Sequence, residues 1–278
     1  MTGTTSGAAI PGPINRPATA EKLLQLMAIM EQLRGPEGCP WDREQTPRSL
    51  LPYLLEETYE VMEAVDAGAA EALREELGDL LLHIVFQANL AESSGDFDLA
   101  DCLEGINLKL IRRHPHVFGD QQADGAFHAK QHWEAVKQRE KGRLSRLEGV
   151  PKALPALSRA RRLQEKAAYA GFDWKDIQPV WDKVHEEIKE LQAAQLAGND
   201  DAIEEELGDV LFSVVNLGRF YGLSSEGALR RAIAKFEYRF GQVESELRRR
   251  GKELEESTLE EMDDIWNRHK KKARQGSS

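Results

Sequence analysis

An all-α fold built from two tandem copies of one helical module is what this 278-residue sequence predicts. Three observations carry that expectation. Apolar residues recur at spacings of three and four along most of the chain, strand-like alternation is almost absent, and one carboxylate-rich pattern occurs twice in a single register. With 41% hydrophobic residues the chain can bury a sizeable core. At about 100–200 residues per domain it accommodates two modest domains.

Residues 1–18 are rich in Gly, Thr, Ala and Pro and lack the apolar stretch of a signal peptide, so they read as a flexible tail. Leu23, Leu26, Met27, Met30 and Leu33 then mark the first amphipathic helix, which ends in a turn at 35–40. The same periodicity predicts helices over 50–67, 70–92, 98–113, 125–141, 153–168, 180–196, 202–221, 224–250 and 258–272. The first module is expected over 19–142, a linker over 143–155 and the second module over 156–278.

The repeat is the most informative feature. Glu56-Glu57-Thr58-Tyr59-Glu60 followed by Glu75-Glu76-Leu77-Gly78-Asp79 matches Glu186-Glu187-Ile188-Lys189-Glu190 followed by Glu205-Glu206-Leu207-Gly208-Asp209. Every residue of the second set lies 130 positions after its counterpart, so one gapless register spans both segments. Lys109 and Arg113 match Lys235 and Arg239 at an offset of 126, a four-residue difference in the intervening chain.

Composition excludes several classes of function. A net charge of −11 opposes general binding to nucleic acid or anionic membrane, so phosphate must be met through a metal or local cations. No apolar run approaches the ~18–20 residues that span a bilayer. Cys39 and Cys102, far apart, form neither a disulfide framework nor a zinc-ligand spacing, and a reducing cytoplasm suits them.

Within each copy the paired carboxylates are three residues apart, which sets both members of a pair on one helix face. If the two helices form an antiparallel hairpin, Glu187 and Glu190 face Glu206 and Asp209 in an all-oxygen cluster suited to Mg²⁺ or Mn²⁺. An arbitrary Glu-x-x-Glu belongs to a solvated face. Here, however, like charges at this spacing weaken a helix by roughly 0.2–0.5 kcal/mol per pair, so their accumulation has no local rationale. Asp79 and Asp209 also run directly into apolar stretches, which predicts partial burial, and burial of an ionised carboxylate calls for a cation. Gly78 and Gly208 in mid-helix suggest close approach of another backbone or a ligand.

With its duplicated EExxE and ExxD motifs and downstream Lys-x-x-x-Arg, the sequence resembles the MazG family of nucleoside triphosphate pyrophosphohydrolases. Cys39-Pro40-Trp41-Asp42, Arg112-Arg113-His114-Pro115-His116-Val117-Phe118 and Gly171-Phe172-Asp173-Trp174 strengthen the likeness, which covers nearly all of the chain beyond the tail. The resemblance implies an α-helical module assembled as a homodimer, and hydrolysis of nucleoside triphosphates to monophosphate and pyrophosphate. It further implies that the second copy is catalytic. Glu187, Glu190, Glu206 and Asp209 would hold Mg²⁺, with Lys183, Glu186, Lys235, Arg239 and Trp266 at the substrate. Lys183 stands one turn before Glu187, where the first copy has Tyr53, yet the first copy's Glu57, Glu60, Glu76 and Asp79 are all present.

A di-iron carboxylate bundle would need Glu-x-x-His pairs, and none accompanies the motifs. A non-enzymatic dimerisation or regulatory module with a structural metal is the alternative function. His114 and His116, flanking Pro115, are read as a structural turn because proline ends the preceding helix.

Overall fold

The structure, a computed structural model, describes residues 16–119, 124–140 and 144–275. Twelve α-helices and one short 3-10 turn account for the regular structure among them, with no strand. The chain divides into two compact units, Met1–Lys137 and Gln138–Ser278.

In the first unit, α1 (Pro17–Arg34) and α2 (Pro40–Glu44) precede the long pair α3 (Leu51–Ala67) and α4 (Ala70–Ser93), followed by α5 (Leu99–Arg113) and α6 (Pro115–Phe118). The long α7 (Gly125–Glu140) then carries the chain into the second unit. Met30, Leu50, Val85, Phe86, Ala88, Leu90 and Leu99 form the core, where α1 and α5 close over α4. The tight turn between α1 and α2 requires glycine at 38, because a Cβ there would stand 2.2 Å from Leu33 O. Asp98 and Asp101 cap α5 reciprocally, each side chain accepting from the other's backbone N–H at 2.8–3.0 Å.

The second unit repeats this plan with α8 (Ala156–Tyr169), α9 (Gln178–Ala197), α10 (Asp200–Phe220), α11 (Ser225–Arg249) and α12 (Leu259–Gln275). Both α3–α4 and α9–α10 are tightly packed hairpins with two-residue connections. Gly68 and Gly198 each adopt φ +66°, the left-handed conformation that closes a helix without a Cβ penalty. Backbone bonds from Gly68 to Val65 and from Ala69 to Ala64 seal the first turn, and those from Gly198 to Gln195 and from Asn199 to Ala194 seal the second. Asn199 also caps α10 through Ala202 N at 3.3 Å. The hairpins expected from the carboxylate spacing are therefore present in both copies.

At the end of the second unit Val243, Leu247 and Ile265 lock α12 onto α11, with Leu254, Met262 and Trp266 packed around them. Ile265 has no exposed surface. Ile265→Ala is expected to destabilise this unit by about 2–5 kcal/mol through lost burial and a residual cavity. The urea midpoint of the transition that releases α12 measures it.

The helices follow the periodicity of the sequence to within a few residues, with instructive differences. The tail expected over 1–18 lies outside the described residues as far as Asn15, and α1 already begins at Pro17. Pro40 and Pro115 open short helices where turns were expected, since proline's fixed φ and missing N–H suit a first helical position. Of the linker expected over 143–155, residue 143 lies outside the described residues, and 144–155 carry no helix.

Each unit, taken alone, leaves part of its apolar surface uncovered. Leu51, Leu55, Leu77, Leu81 and Ile84 are exposed in the first unit, and Leu207, Leu211, Val214, Ile233 and Phe236 in the second.

Candidate active site

In the second hairpin, Glu187, Glu190 and Glu206 each bring one carboxylate oxygen within 4.8 Å of the others. Two residues come from α9 and one from α10, so the hairpin closure assembles the trio. Glu187 is 6% exposed, and Lys183 Nζ donates to its Oε1 at 2.7 Å and to Glu186 Oε1 at 2.8 Å. These two carboxylates, Glu186 first, hold the Lys183 ammonium well above the usual lysine range. The Glu190 carboxyl is pushed up by its hydrogen bond with Glu187, by burial and by the charges of Glu187 and Glu206.

Asp209 stands apart from the trio. It is exposed, contrary to the partial burial its apolar neighbours suggested, because Leu211, Phe212 and Val214 beyond it are themselves about half exposed in the single chain. It instead shares the wall of a cavity of about 420 Å³ with Lys183 and Glu187. A Cβ built at Gly78 or Gly208 would meet nothing within 4 Å, so among the described residues no other backbone approaches either glycine.

The cavity is bounded by α8, α9, α10 and the loop between α8 and α9. Phe172, Trp174 and Phe212 supply aromatic surface, and Gln164, Ser213 and Asn216 supply polar groups. Asp173 anchors the loop through a bidentate pair with Arg219, at 2.9 Å to Nη1 and 2.6 Å to Nη2. Arg219 Nε also donates to Asn216 Oδ1 at 2.9 Å, and its guanidinium stacks over Phe220. Gly171-Phe172-Asp173-Trp174 thus gains a structural role, setting Trp174 at the cavity with Phe172 largely exposed on its rim.

The first hairpin repeats the arrangement with altered chemistry. Glu57, Glu76 and Asp79 form its carboxylate trio, while Glu60 lies outside the trio but hydrogen-bonds Glu57. Burial, then Asp79 and Glu60, pushes the Glu57 carboxyl up, and burial, then Glu60 and Glu75, does the same for Glu76. His83 is buried with Nδ1 unpartnered among the described residues, and burial lowers its basicity against the pull of Asp79. The adjoining cavity is only about 170 Å³. Its Leu50, Tyr53, Glu57, Leu82, His83 and Phe86 match Val180, Lys183, Glu187, Phe212, Ser213 and Asn216 of the larger one in the same 130-residue register. His83 for Ser213 and Phe86 for Asn216 put larger side chains into the same space.

Lys235, Arg239 and Trp266 do not line the second cavity. Lys235 is exposed on α11, and Arg239 stacks over Trp266 at 5.7 Å, which in turn packs 5.4 Å from Phe236. Gln164, Asn216 and Arg219 were missed by the sequence reading. Carrying the repeat register beyond the acidic motifs to Phe86 and Asn216 would have exposed one of them. Gln164 comes from a helix outside the repeated hairpin and offers no such signal.

Residues 45–118 and 178–243 match the MazG nucleotide pyrophosphohydrolase domain, once over each hairpin. The chain is 47% identical over 248 residues to the nucleoside triphosphate pyrophosphohydrolase/pyrophosphatase MazG of Thermotoga maritima, covering 88% of this chain and 94% of that protein. It is 46% identical to the nucleoside triphosphate pyrophosphohydrolase of Escherichia coli K12, over 89% of this chain and 96% of the relative. A Mycobacterium tuberculosis protein with that same name is 41% identical over 55% of this chain and 46% of its own length. With its duplicated acidic hairpin and this similarity over most of its length, the chain belongs to the MazG nucleotide pyrophosphohydrolase family.

Proposed function

We propose that the chain hydrolyses nucleoside triphosphates to nucleoside monophosphate and pyrophosphate, by attack of water on the α-phosphorus at the second module, with Mg²⁺ as cofactor and Mn²⁺ as a possible substitute. The observation that carries this reading is the adjacency of a carboxylate trio, a cation and a ligand-sized cavity: Glu187, Glu190 and Glu206 beside Lys183 and the 420 Å³ space.

The donor set fits a hard divalent cation, being all oxygen and gathered within 4.8 Å. Glu187, Glu190 and Glu206 would hold the ion, and Asp209, outside the trio on the cavity wall, would complete its ligands. Bound there, Mg²⁺ supplies charge neutralisation at the phosphates and a more acidic water. Lys183 exchanges a carboxylate for a phosphate oxygen when substrate enters. The carboxylate released is Glu186, which is then available to orient or deprotonate water while Lys183 stays paired with Glu187. Lys235 and Arg239, four residues apart on α11 and outside the cavity lining, are assigned to the phosphates by the family resemblance, with Arg239 stacked on Trp266.

The first module lacks the cation and most of the cavity, which supports a non-enzymatic role for Glu57, Glu60, Glu76 and Asp79. For that module alone the dimerisation or regulatory reading with a structural metal is favoured. The uncovered apolar faces support a homodimer. No helix among the described residues is long and apolar enough to cross a membrane. Two free cysteines suit a reducing cytoplasm, and the net charge of −11 opposes nucleic acid and anionic membrane as partners.

Product analysis with a panel of nucleoside triphosphates and Mg²⁺ tests the reading. Monophosphate plus pyrophosphate, abolished by chelator, is the expected result; orthophosphate plus diphosphate would place the cleaved bond elsewhere. A second expectation concerns pH. A carboxyl whose folded pKa is raised favours the folded state below that pKa and loses this contribution as pH rises through it. Glu57, Glu76 and Glu190 are all raised. Mg²⁺ should therefore increase Tm more at pH 8, where the clusters are ionised, than at pH 5. Equal increments would place the ion away from them.

A further inference from the structure

Gln164 is nine-tenths buried in α8 and lines the second cavity. Its Nε2 donates to Phe212 O at 2.8 Å, which fixes the carboxamide's orientation, and its Oε1 finds no hydrogen-bond partner among the described residues. Burying a polar atom without a partner is unfavourable, and a native fold tolerates it where a ligand completes the bond. The neighbouring polar groups are partly committed. Asn216 Oδ1 accepts from Arg219, which leaves its amide N–H groups as the donors it can offer, and Ser213 Oγ donates to Val210 O, which leaves it an acceptor. Phe172, Trp174 and Phe212 contribute aromatic surface to the same space.

From the unpartnered Gln164 acceptor in this aromatic-lined cavity we infer that the cavity takes the nucleobase of the substrate, and that Gln164 reads an N–H donor on the base edge. This rests on the nucleotide-hydrolase reading above and adds the specificity element. The required ligand is a planar heterocycle carrying an exocyclic amine or ring N–H, with its phosphates directed toward Lys183 and Glu187 at the same cavity wall. Asn216 complements an acceptor on that edge. Asp173 and Arg219 are positioning residues, tying the aromatic loop to the helix that carries Asn216. In the first module Phe86 occupies the position of Asn216 and His83 that of Ser213, so the corresponding space is reduced to about 170 Å³. A base has no comparable room there.

The test is a cycle in which the acceptor is deleted from the protein and the donor from the ligand. Full-length wild type and Gln164→Met are assayed with ATP and with purine riboside triphosphate, which lacks the 6-amino group. Wild type is expected to prefer ATP in kcat/KM by about tenfold, the scale of one hydrogen bond, and Gln164→Met to show nearly equal values. A merely structural glutamine would lower both substrates alike and preserve the ratio, which would overturn the inference, as would a wild type indifferent to the amine. Should Gln164→Met not fold by circular dichroism, Asn216→Phe provides the second arm. It is expected to raise KM for ATP far more than for ribose 5-triphosphate without a base, and parallel changes would overturn the inference. Equilibrium binding of AMP to wild type and variants separates the two levels of failure. If wild type turns over no triphosphate, the hydrolase reading fails, and AMP binding weakened by the variants still upholds the base site. If turnover is normal and neither ratio nor binding changes, the base site alone fails.

Discussion

Glu187→Gln is expected to lower pyrophosphate release by about 10³-fold, the scale on which a single electrostatic contact to a phosphoryl transition state acts, while the fold persists. Glu187 is the most buried acidic residue of the trio and touches both Lys183 and Glu190. Glutamine keeps its volume and removes its charge, so packing against α10 is retained and the divalent-ion site loses a ligand. Lys183 keeps Glu186 as a partner at 2.8 Å, so no buried cation is stranded. Titration with Mn²⁺ followed by electron paramagnetic resonance should show loss of binding at the second module in parallel with the loss of turnover. Glu57→Gln, the register-matched change in the first module, should leave turnover close to that of the parent. Equal losses from the two variants would show that the first module participates directly in catalysis.

The hairpin frame was legible because short-range chemistry determines it. Carboxylates three residues apart must share a helix face, and one register repeated without a gap implies one local structure repeated. The structure adds why the register holds: Gly68 and Gly198, also 130 residues apart, close both turns with the same left-handed φ. Features that depend on which surfaces meet were less readable. The burial of Asp209 was inferred from its apolar sequence neighbours, but Leu211 and Val214 find no cover within one chain, and the aspartate is exposed with them. Gln164 reaches the cavity from α8, outside the duplicated hairpin, and nothing about one glutamine in an amphipathic helix announces an unpaired oxygen. The contrast between the copies was half visible. Tyr53 opposite Lys183 showed the lost cation, whereas the closing of the first cavity by Phe86 and His83 needed the lining of both spaces to be compared.

Lys183→Met is the second large effect expected, and it turns the difference between the copies into an experiment. In the second module Lys183 compensates a buried carboxylate. In the first, where Tyr53 takes its place, burial and the charges around Glu57 push that carboxyl up. Lys183 is likewise the charge that opposes the rise of the Glu190 carboxyl, so removing the ammonium should push that carboxyl up further. A base or metal ligand that protonates more readily loses function at higher pH, so the acid limb of the kcat/KM profile should move upward on the pH scale, the direction opposite to that expected had the lysine opposed ionisation. Loss of the phosphate contact should add a fall of about 10²–10³-fold at the optimum, on the scale of a transition-state electrostatic contact. Lys183→Arg separates the two effects. It retains the charge, and so should keep the acid limb near its original position, while its planar fork cannot reproduce the single-point reach of the ammonium and turnover stays low. An unchanged acid limb in Lys183→Met would show that Glu190 relies on the divalent ion rather than on this lysine for its charged state, and would leave Lys183 with the phosphate role alone.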